Sequence, residues 1–214
     1  MLNLLCILMG YFLGSINPSY ILAKKKNINL KEIGSGNLGL TNATMVLGKK
    51  SGVIVLIVDF FKGFLAVITS LFIFKRTKVI ALLVGAFAII GHIFPFYLNF
   101  SGGKGLLTFI GVMFAYDPML CISVFLLSCL VTVIINYSVA MPYSITTLFC
   151  VLATLKANNI YITLICIFIA LIIQLKHLQN YKNAKAKEDI KVSDYFNKFV
   201  FENKNQDDDC KNSN

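Results

Sequence analysis

Glycines and uncharged polar residues are concentrated in one short segment between residues 34 and 42. The segment reads Gly34-Ser35-Gly36-Asn37-Leu38-Gly39-Leu40-Thr41-Asn42. Three glycines allow a loop to turn successive backbone N–H groups toward an anion, and the Ser, Thr and Asn side chains add uncharged hydrogen-bonding groups. We therefore interpret the segment as an anion-binding loop. An ordinary flexible loop is the alternative, because a G-x-G-x-x-G match is weak without a strand before it.

Two further polar motifs stand close together in the middle of the chain. They are Gly91-His92-Ile93-Phe94-Pro95 and Ser101-Gly102-Gly103-Lys104-Gly105. The second motif can surround an oxyanion with main-chain donors while the ammonium of Lys104 supplies a point charge. It is not a nucleotide-binding P-loop, because Gly105 follows the lysine where Ser or Thr is required. The alternative for Lys104 is an anchor at the membrane surface.

The last motif is Lys176-His177-Leu178-Gln179-Asn180, directly after the final apolar run. A histidine at the end of a membrane helix is, taken alone, most simply an interfacial residue. The chain has only two histidines, however, and both stand beside other polar motifs at predicted helix ends. We therefore expect His92 and His177 to belong to one shared site.

Asp59 and Lys62 lie three residues apart inside an apolar run. At this spacing two side chains of a helix can face one another. Charges at membrane depth are costly unless they are paired or face a polar cavity. We favour a structural ion pair, with a direct catalytic role as the alternative.

Missing motifs narrow the chemistry. The residues five positions after the two histidines are Tyr97 and Lys182, so the His-x4-Asp pair of soluble-type glycerolipid acyltransferases is absent. No cluster of loop Asp and Glu could hold Mg²⁺, and the six cysteines show neither a disulfide framework nor zinc-ligand spacing. What remains is a metal-free site built from Lys, His, Ser, Asn and backbone amides.

The composition indicates which elements must position these motifs. Of the 214 residues 57% are hydrophobic and only 14% are charged, and the mean hydropathy is +0.75. A bilayer is therefore the expected solvent. The net charge of +10 arises largely from lysines between apolar runs and after the last one, which suits a membrane surface and anionic substrates better than nucleic acid.

The apolar runs predict seven membrane helices. About 20 apolar residues are needed to cross the hydrocarbon of a bilayer. Six runs have about this length, and a seventh is shorter; they are 2 to 23, 51 to 74, 79 to 100, 118 to 135, 138 to 155, 159 to 175 and the short run 105 to 116. The short run ends at Asp117-Pro118, where proline favours a turn. Because the first run lacks a leading Lys or Arg, we expect a retained helix and not a cleaved signal.

The distribution of positive charge predicts the orientation. Segment 24 to 50 contains six Lys or Arg residues and the chain after residue 175 contains eight, which places both in the cytoplasm and the N-terminus outside. The loop from 75 to 78 is contrary to this pattern, since it carries three basic residues. We expect a transmembrane domain from 1 to 180 and a charged cytoplasmic tail from 181 to 214.

Taken together, the motifs resemble the acyl-phosphate:glycerol-3-phosphate acyltransferase (PlsY) family of bacterial membrane enzymes over about residues 10 to 188. Each motif is weak alone, but the ordered set is fairly specific. The residues that carry the resemblance are Gly14-Ser15-Ile16-Asn17-Pro18, Gly34 to Gly39 with Thr41-Asn42, Asp59 with Lys62-Gly63, Gly91 to Pro95, Gly102 to Gly105 with Thr108, and His177 with Asn180 and Glu188.

The resemblance implies a seven-helix enzyme of phospholipid biosynthesis in the cell membrane, with its site facing the cytoplasm. The implied reaction transfers a fatty acyl group from acyl phosphate to the 1-hydroxyl of glycerol 3-phosphate, giving lysophosphatidate, with a substrate phosphate accepting the proton. No metal or organic cofactor would be needed. Membrane lipid is an expected partner, whereas nucleic acid and a required protein partner are not. By position, the catalytic residues are Ser35, Lys104, His177 and Asn180, and the substrate-binding residues are Gly34, Gly36, Asn37, Thr41, Asn42, His92, Gly102 and Gly103.

Two departures from the family pattern leave an alternative open. The family usually has an arginine at the position of Met45 and a serine near Pro142. A lost guanidinium could remove a bidentate phosphate contact worth roughly 2 to 3 kcal/mol. The alternative is a catalytically weakened paralogue that binds lipid phosphate, and a small transporter ranks last.

Overall fold

The regular structure of this chain is helical. The computed structural model describes residues 1–137 and 140–185, and from 179 to 185 it describes the backbone alone. Within this part the α-helices are α1 (Leu2–Ser15), α2 (Pro18–Lys25), α3 (Leu40–Leu47), α4 (Lys49–Ile68), α5 (Lys78–Ile93), α6 (Leu106–Tyr116), α7 (Pro118–Ile135), α8 (Ala140–Ala157) and α9 (Ile160–Lys185). A π-helical turn, Thr69–Ile73, extends α4.

In the part of the chain that the structure describes, six helical segments are long and apolar enough to cross a membrane, and α6 is a shorter apolar helix. The six are Leu2–Lys25, Lys49–Ile73, Lys78–Leu98, Pro118–Ile135, Ala140–Ala157 and Ile160–Leu178. The predicted all-α membrane fold, with six long spans and one short one, is therefore confirmed. The face of the membrane on which each end lies stays a prediction.

The first span is broken, although the sequence predicted one continuous helix from 2 to 23. Helix α1 ends at Ser15 and α2 begins at Pro18, whose ring restrains the preceding residue. Between them Asn17 caps α2, because its Oδ1 accepts a hydrogen bond from the amide of Tyr20 at 2.9 Å. The carbonyl of Ile16 is thereby released from helical pairing and accepts a hydrogen bond from Nζ of Lys62 at 2.8 Å.

Helix α6 has 11 residues, about 16 Å of helix, which is short for a bilayer core of about 30 Å. The loop before α6 folds back along α5 and covers part of the remaining thickness of the bilayer core. The amide of Gly102 donates to the carbonyl of Ile93 at 3.0 Å, and the amide of Gly103 donates to that of His92 at 3.1 Å. The short helix can therefore begin alongside the last turn of α5.

The turn predicted at Asp117-Pro118 is confirmed. Asp117 caps α7, because its Oδ1 accepts from the amide of Leu120 at 3.1 Å. The chain reverses at the C-terminal end of α6, where Nζ of Lys78 lies 5.8 Å from the ring centroid of Tyr116. The carboxylate of Asp117 also pairs with Lys156 at the end of α8.

Glycines allow two pairs of helices to pack backbone against backbone. A Cβ on Gly14 of α1 would overlap the carbonyl of Ala88 on α5, and a Cβ on Gly111 of α6 would overlap the carbonyl of Phe60 on α4. Small residues at such contacts are typical of membrane helix pairs. This packing holds α1, α4, α5 and α6 together beside the loop that follows α5.

Alternating helix directions collect the polar motifs at one end of the bundle. We call this end the site end; it comprises the chain between α2 and α4, the loop between α5 and α6, the turn after α7 and the last turns of α9. The opposite end, the far end, comprises the turns before α5, α7 and α9. The hydroxyl of Tyr143, near the start of α8, donates to the carbonyl of Gln174 on α9 at 3.3 Å, which is consistent with this arrangement.

Candidate active site

A cavity of about 190 Å³ lies at the site end. Five of its lining residues were predicted as site residues from the sequence: Asn37, Thr41, His92, Lys104 and His177. The others are Gly39, Leu40, Asp59, Gly105, Leu106 and Leu107. The structure therefore brings both histidines and Lys104 to one cavity.

The loop before α3 is organised by Asn42. This residue is 1% exposed; Nδ2 donates to the carbonyl of Leu30 at 3.0 Å, and Oδ1 accepts from the amide of Ser35 at 3.0 Å. The loop turns at Gly34 and Gly36, whose φ angles of 65° and 69° are in the left-handed region that favours glycine. Asn42 thus holds the loop together from inside, and its predicted contact with substrate stays a prediction.

Ser35 lies on the outside of this loop. It is exposed, and neither it nor the flanking Gly34 and Gly36 lines the cavity. The roles predicted for these three residues stay predictions. The cavity is reached instead by the following part of the segment, through Asn37 and Thr41.

The end of the predicted loop is helical, since α3 begins at Leu40. Gly39 precedes it and supplies no side-chain cap, while Leu40 and Thr41 of the first turn line the cavity. The first amides of a helix lack partners within the helix, and the helix dipole favours an anion near them. The start of α3 is therefore suited to supply main-chain donors, and the anion-binding role predicted for this segment stays a prediction.

The glycine loop between α5 and α6 serves close packing. The amides of Gly102 and Gly103 donate to carbonyls of α5, so these two N–H groups do not supply the oxyanion donors expected from the motif. A Cβ on Gly103 would overlap Nε2 of His92, so only glycine allows the loop to lie against the imidazole. The predicted substrate contacts of the two glycines stay predictions.

Lys104 follows these glycines and brings a positive charge into the cavity. Burial lowers its pKa below the ordinary value of a lysine, because the surroundings solvate the ammonium less well than water. An anion bound beside it would restore that solvation. The role predicted for Lys104, a counter-ion to a phosphoryl group, stays a prediction that this environment favours.

His177 has a buried ring nitrogen that lacks a hydrogen bond within the described part of the chain. Its Nε2 has no hydrogen-bond partner among the residues that the structure describes, and a buried polar atom without a partner is costly. An oxygen of a bound phosphate or acyl group could supply that partner. Asn180 lies one turn farther along α9, and its side chain is outside the described residues.

Asp59 and Lys62 form the predicted ion pair, with Nζ of Lys62 2.8 Å from Oδ1 of Asp59. The pair is not isolated in the lipid-facing part of α4. Nζ of Lys62 also lies 2.6 Å from Nδ1 of His92, and Asp59 itself lines the cavity. The ion pair therefore adjoins the site, a connection that the spacing of the two charges alone did not show.

The apolar part of the cavity wall was not predicted from the sequence. Leu40, Leu106 and Leu107 line it beside the polar groups. Leu40 lies within the predicted segment from 34 to 42, and Leu106 and Leu107 directly follow the motif that ends at Gly105, which is the only signal that could have indicated them. Among the described residues, no group of three His, Cys, Asp or Glu side chains is arranged to hold a metal ion.

Comparison with known proteins shows to which family this chain belongs. The family model described as glycerol-3-phosphate acyltransferase matches residues 4–187. The chain belongs to the glycerol-3-phosphate acyltransferase family. The glycerol-3-phosphate acyltransferase of Streptococcus thermophilus (strain CNRZ 1066) is 38% identical over 188 residues, which cover 83% of this chain and 87% of that protein.

Two crystal structures of PlsY, an integral membrane glycerol 3-phosphate acyltransferase, share the fold. The glycerol 3-phosphate form superposes with a TM-score of 0.80 at 29% identity, covering 89% of this chain and 96% of that one. The lysophosphatidic acid form gives 0.78 at 28% identity, covering 89% and 95%. The predicted family and the predicted enzyme class, a membrane acyltransferase of phospholipid biosynthesis that makes lysophosphatidic acid from glycerol 3-phosphate, are confirmed.

Proposed function

We propose that the cavity at the site end carries out this acyl transfer, with acyl phosphate as the donor and the 1-hydroxyl of glycerol 3-phosphate as the acceptor. The observation that carries the proposal is the convergence on one cavity of three anion-binding features. They are the ammonium of Lys104, the uncapped start of α3 and the unpartnered Nε2 of His177. A similar fold in a glycerol 3-phosphate form supports the choice of acceptor.

The reaction requires little covalent chemistry from the protein. The 1-hydroxyl oxygen attacks the acyl carbonyl carbon, a new ester C–O bond forms, and the C–O bond to the phosphate breaks. Inorganic phosphate leaves, and the hydroxyl proton passes to a phosphate oxygen. The cavity then has two tasks, which are to orient two anionic substrates and to stabilise the negative charge that develops on the carbonyl oxygen. Lys104 and the first amides of α3 fit both tasks.

The apolar wall fits the acyl donor. Leu40, Leu106 and Leu107 stand beside the polar groups, so that the first carbons of an acyl chain can lie against them while the acyl phosphate group faces Lys104. A cavity of about 190 Å³ is far too small for a whole fatty acyl chain. The rest of the chain would lie in the surrounding lipid, which has the same apolar character.

The site faces the cytoplasm of a bacterial cell in this proposal. Six Lys or Arg residues lie between 24 and 50 at the site end, against three in the loop from 75 to 78 at the far end. Such an excess of positive charge is typical of cytoplasmic loops. An epitope placed after residue 214 should then be accessible to an impermeant protease in inside-out vesicles and protected in intact spheroplasts. The reverse pattern would overturn the orientation.

The activity is tested directly with the purified protein in lipid nanodiscs. Acyl phosphate and glycerol 3-phosphate should give equal amounts of inorganic phosphate and lysophosphatidate, with acyl-CoA and acyl carrier protein thioesters as comparison donors. Lys104→Ala should lower kcat/KM about 10²-fold or more, whereas Lys25→Ala, which removes an exposed charge at the same end, should not. A folded protein without turnover would contradict the proposal.

A catalytically weakened paralogue that binds lipid phosphate is the second candidate. Met45, where the family usually has arginine, is 68% exposed and makes no part of the cavity wall. A binding protein of this kind should bind glycerol 3-phosphate or lysophosphatidate without releasing phosphate from acyl phosphate. The assay above separates the two candidates.

A further inference from the structure

Lys62 connects three elements at the edge of the cavity. This residue is only 4% exposed. From α4 its Nζ reaches the carbonyl of Ile16, in the break between α1 and α2, at 2.8 Å, and Nδ1 of His92 on α5 at 2.6 Å. Its charge is balanced by Asp59, whose Oδ1 lies 2.8 Å away.

The contact with Lys62 determines which nitrogen of His92 carries the proton. An ammonium has hydrogen-bond donors and no acceptor. At 2.6 Å from Nζ, Nδ1 of His92 must therefore accept the hydrogen bond. If both ring nitrogens were protonated, the N–H at Nδ1 and the ammonium of Lys62 would be two donors facing each other at this distance, which is unfavourable. A neutral ring whose Nδ1 accepts carries its proton on Nε2.

The position of Asp59 agrees with this tautomer. Its Oδ1 lies 3.3 Å from Nδ1 of His92, yet among the described residues it receives no well-aligned hydrogen bond. The imidazole therefore does not donate to the carboxylate in the manner of an ordinary Asp–His pair. Asp59 acts on the ring indirectly, through its ion pair with Lys62.

The proton on Nε2 belongs to a residue of the cavity wall. His92 lines the cavity together with Lys104 and His177, and Nε2 lies on the side of the ring that faces Gly103. Within the described part of the chain, no residue accepts a hydrogen bond from Nε2. This N–H group is thus free to donate to an oxygen of a bound substrate.

We propose that Asp59 and Lys62 are positioning residues that hold His92 as the Nε2–H tautomer, so that it donates a hydrogen bond to an oxygen of the acyl phosphate. The kinetic part of this inference rests on the proposed function, whereas the tautomer follows from the contacts alone. The same pair would keep the carbonyl of Ile16 in place beside the break in the first span.

The tautomer can be observed in the wild-type protein by NMR of nitrogen-15-labelled histidine. With only two histidines in the chain, a His177→Gln variant assigns the signals. Nδ1 of His92 should show the chemical shift of an unprotonated ring nitrogen, and Nε2 that of an N–H. A protonated Nδ1 would overturn the inference, whatever the activity of the protein.

Paired substitutions then test the role in turnover. Asp59→Leu with Lys62→Met removes both charges at once, so no lone charge remains buried and the fold should be retained. We expect kcat to fall about 10²-fold with little change in KM for glycerol 3-phosphate, together with a mixture of His92 tautomers. Wild-type kcat, or an unchanged tautomer, in this folded variant would overturn the inference.

A matched variant provides the control. Asp59→Asn with Lys62→Met removes the same charges but leaves an amide N–H that can donate to Nδ1. It should recover part of both the Nε2–H tautomer and kcat relative to the Leu variant. A purely structural ion pair predicts equal kcat for the two variants, and that result would contradict the positioning role. If the wild-type protein itself gave no turnover, the proposed function would fail while the NMR result would still decide the tautomer.

Discussion

Gly103 lies against the imidazole of His92 so closely that a Cβ on this residue would overlap Nε2. The same two residues are joined through the main chain, since the amide of Gly103 donates to the carbonyl of His92 at 3.1 Å. The loop that carries Lys104 is thus placed by direct contact with the last turn of α5. Any displacement at this contact moves a positive charge and a histidine of the cavity together.

Gly103→Ala should therefore impair turnover more than folding. The added methyl group must push either the ring of His92 or the loop aside, and small misplacements of catalytic groups are costly. We expect kcat to fall by about 10²-fold, measured as phosphate release. Gly111→Ala is the control, because its methyl group would meet the backbone of Phe60 between α6 and α4. That substitution should instead lower the thermal midpoint of unfolding. A larger loss of turnover in Gly111→Ala than in Gly103→Ala would contradict the assignment of Gly103 to the site and of Gly111 to helix packing.

The lowered pKa of Lys104 predicts the alkaline limit of the reaction. Burial disfavours the ammonium, and only the ammonium form attracts phosphate, so kcat/KM for glycerol 3-phosphate should be high below this pKa. It should decline as the pH rises through it, at a lower pH than for an exposed lysine. In Lys104→Arg the guanidinium stays charged, so the decline should disappear even if the absolute rate is reduced. An unchanged decline in this variant would assign it to another group.

Met45→Arg should strengthen the binding of glycerol 3-phosphate. Thr41 and Met45 are one turn apart on α3, and Thr41 lines the cavity, so a long side chain at 45 starts from the same helix face. A bidentate contact with phosphate contributes roughly 1.5–3 kcal/mol, which corresponds to a KM lower by about tenfold or more. Kinetics at saturating acyl phosphate measure it, with Met45→Leu as the uncharged control.

The double variant with Pro142→Ser extends this test. Pro142 is buried in the first turn of α8, at the site end. Turnover that appears only when Met45→Arg and Pro142→Ser are combined would support the weakened paralogue. If the unmodified chain already turns over, the second candidate function is excluded.

Asn42→Ala should disorganise the loop before α3. The side chain donates to the carbonyls of Leu30 and Ile33 at 3.0 and 3.1 Å and accepts from the amide of Ser35. Leaving such buried groups unpaired costs about 1–3 kcal/mol, so both the thermal midpoint and kcat/KM for glycerol 3-phosphate should fall. Asn29→Ala removes exposed hydrogen bonds with Glu32 and with the amide of Lys31 in the same loop and should change neither.

Much of the fold could be predicted because it depends on local properties of the chain. The length of each apolar run is set by the thickness of the bilayer, and the spans from α4 to α9 agree with the predictions to within a few residues. The turn at Asp117-Pro118 was also predictable from a local property, because proline restrains its immediate neighbour. The polar motifs and their order likewise identified the family before any geometry was known.

The tertiary structure decided how the motifs meet. The break at Ile16 is stabilised by Lys62, 46 residues later in the chain, and the last part of the segment that the sequence suggested was a loop forms the start of α3. Whether the amides of Gly102 and Gly103 face a ligand or α5 depends on the return of their loop onto His92. Such contacts join residues far apart in sequence, so spacing along the chain carries no information about them, and only packing determines them.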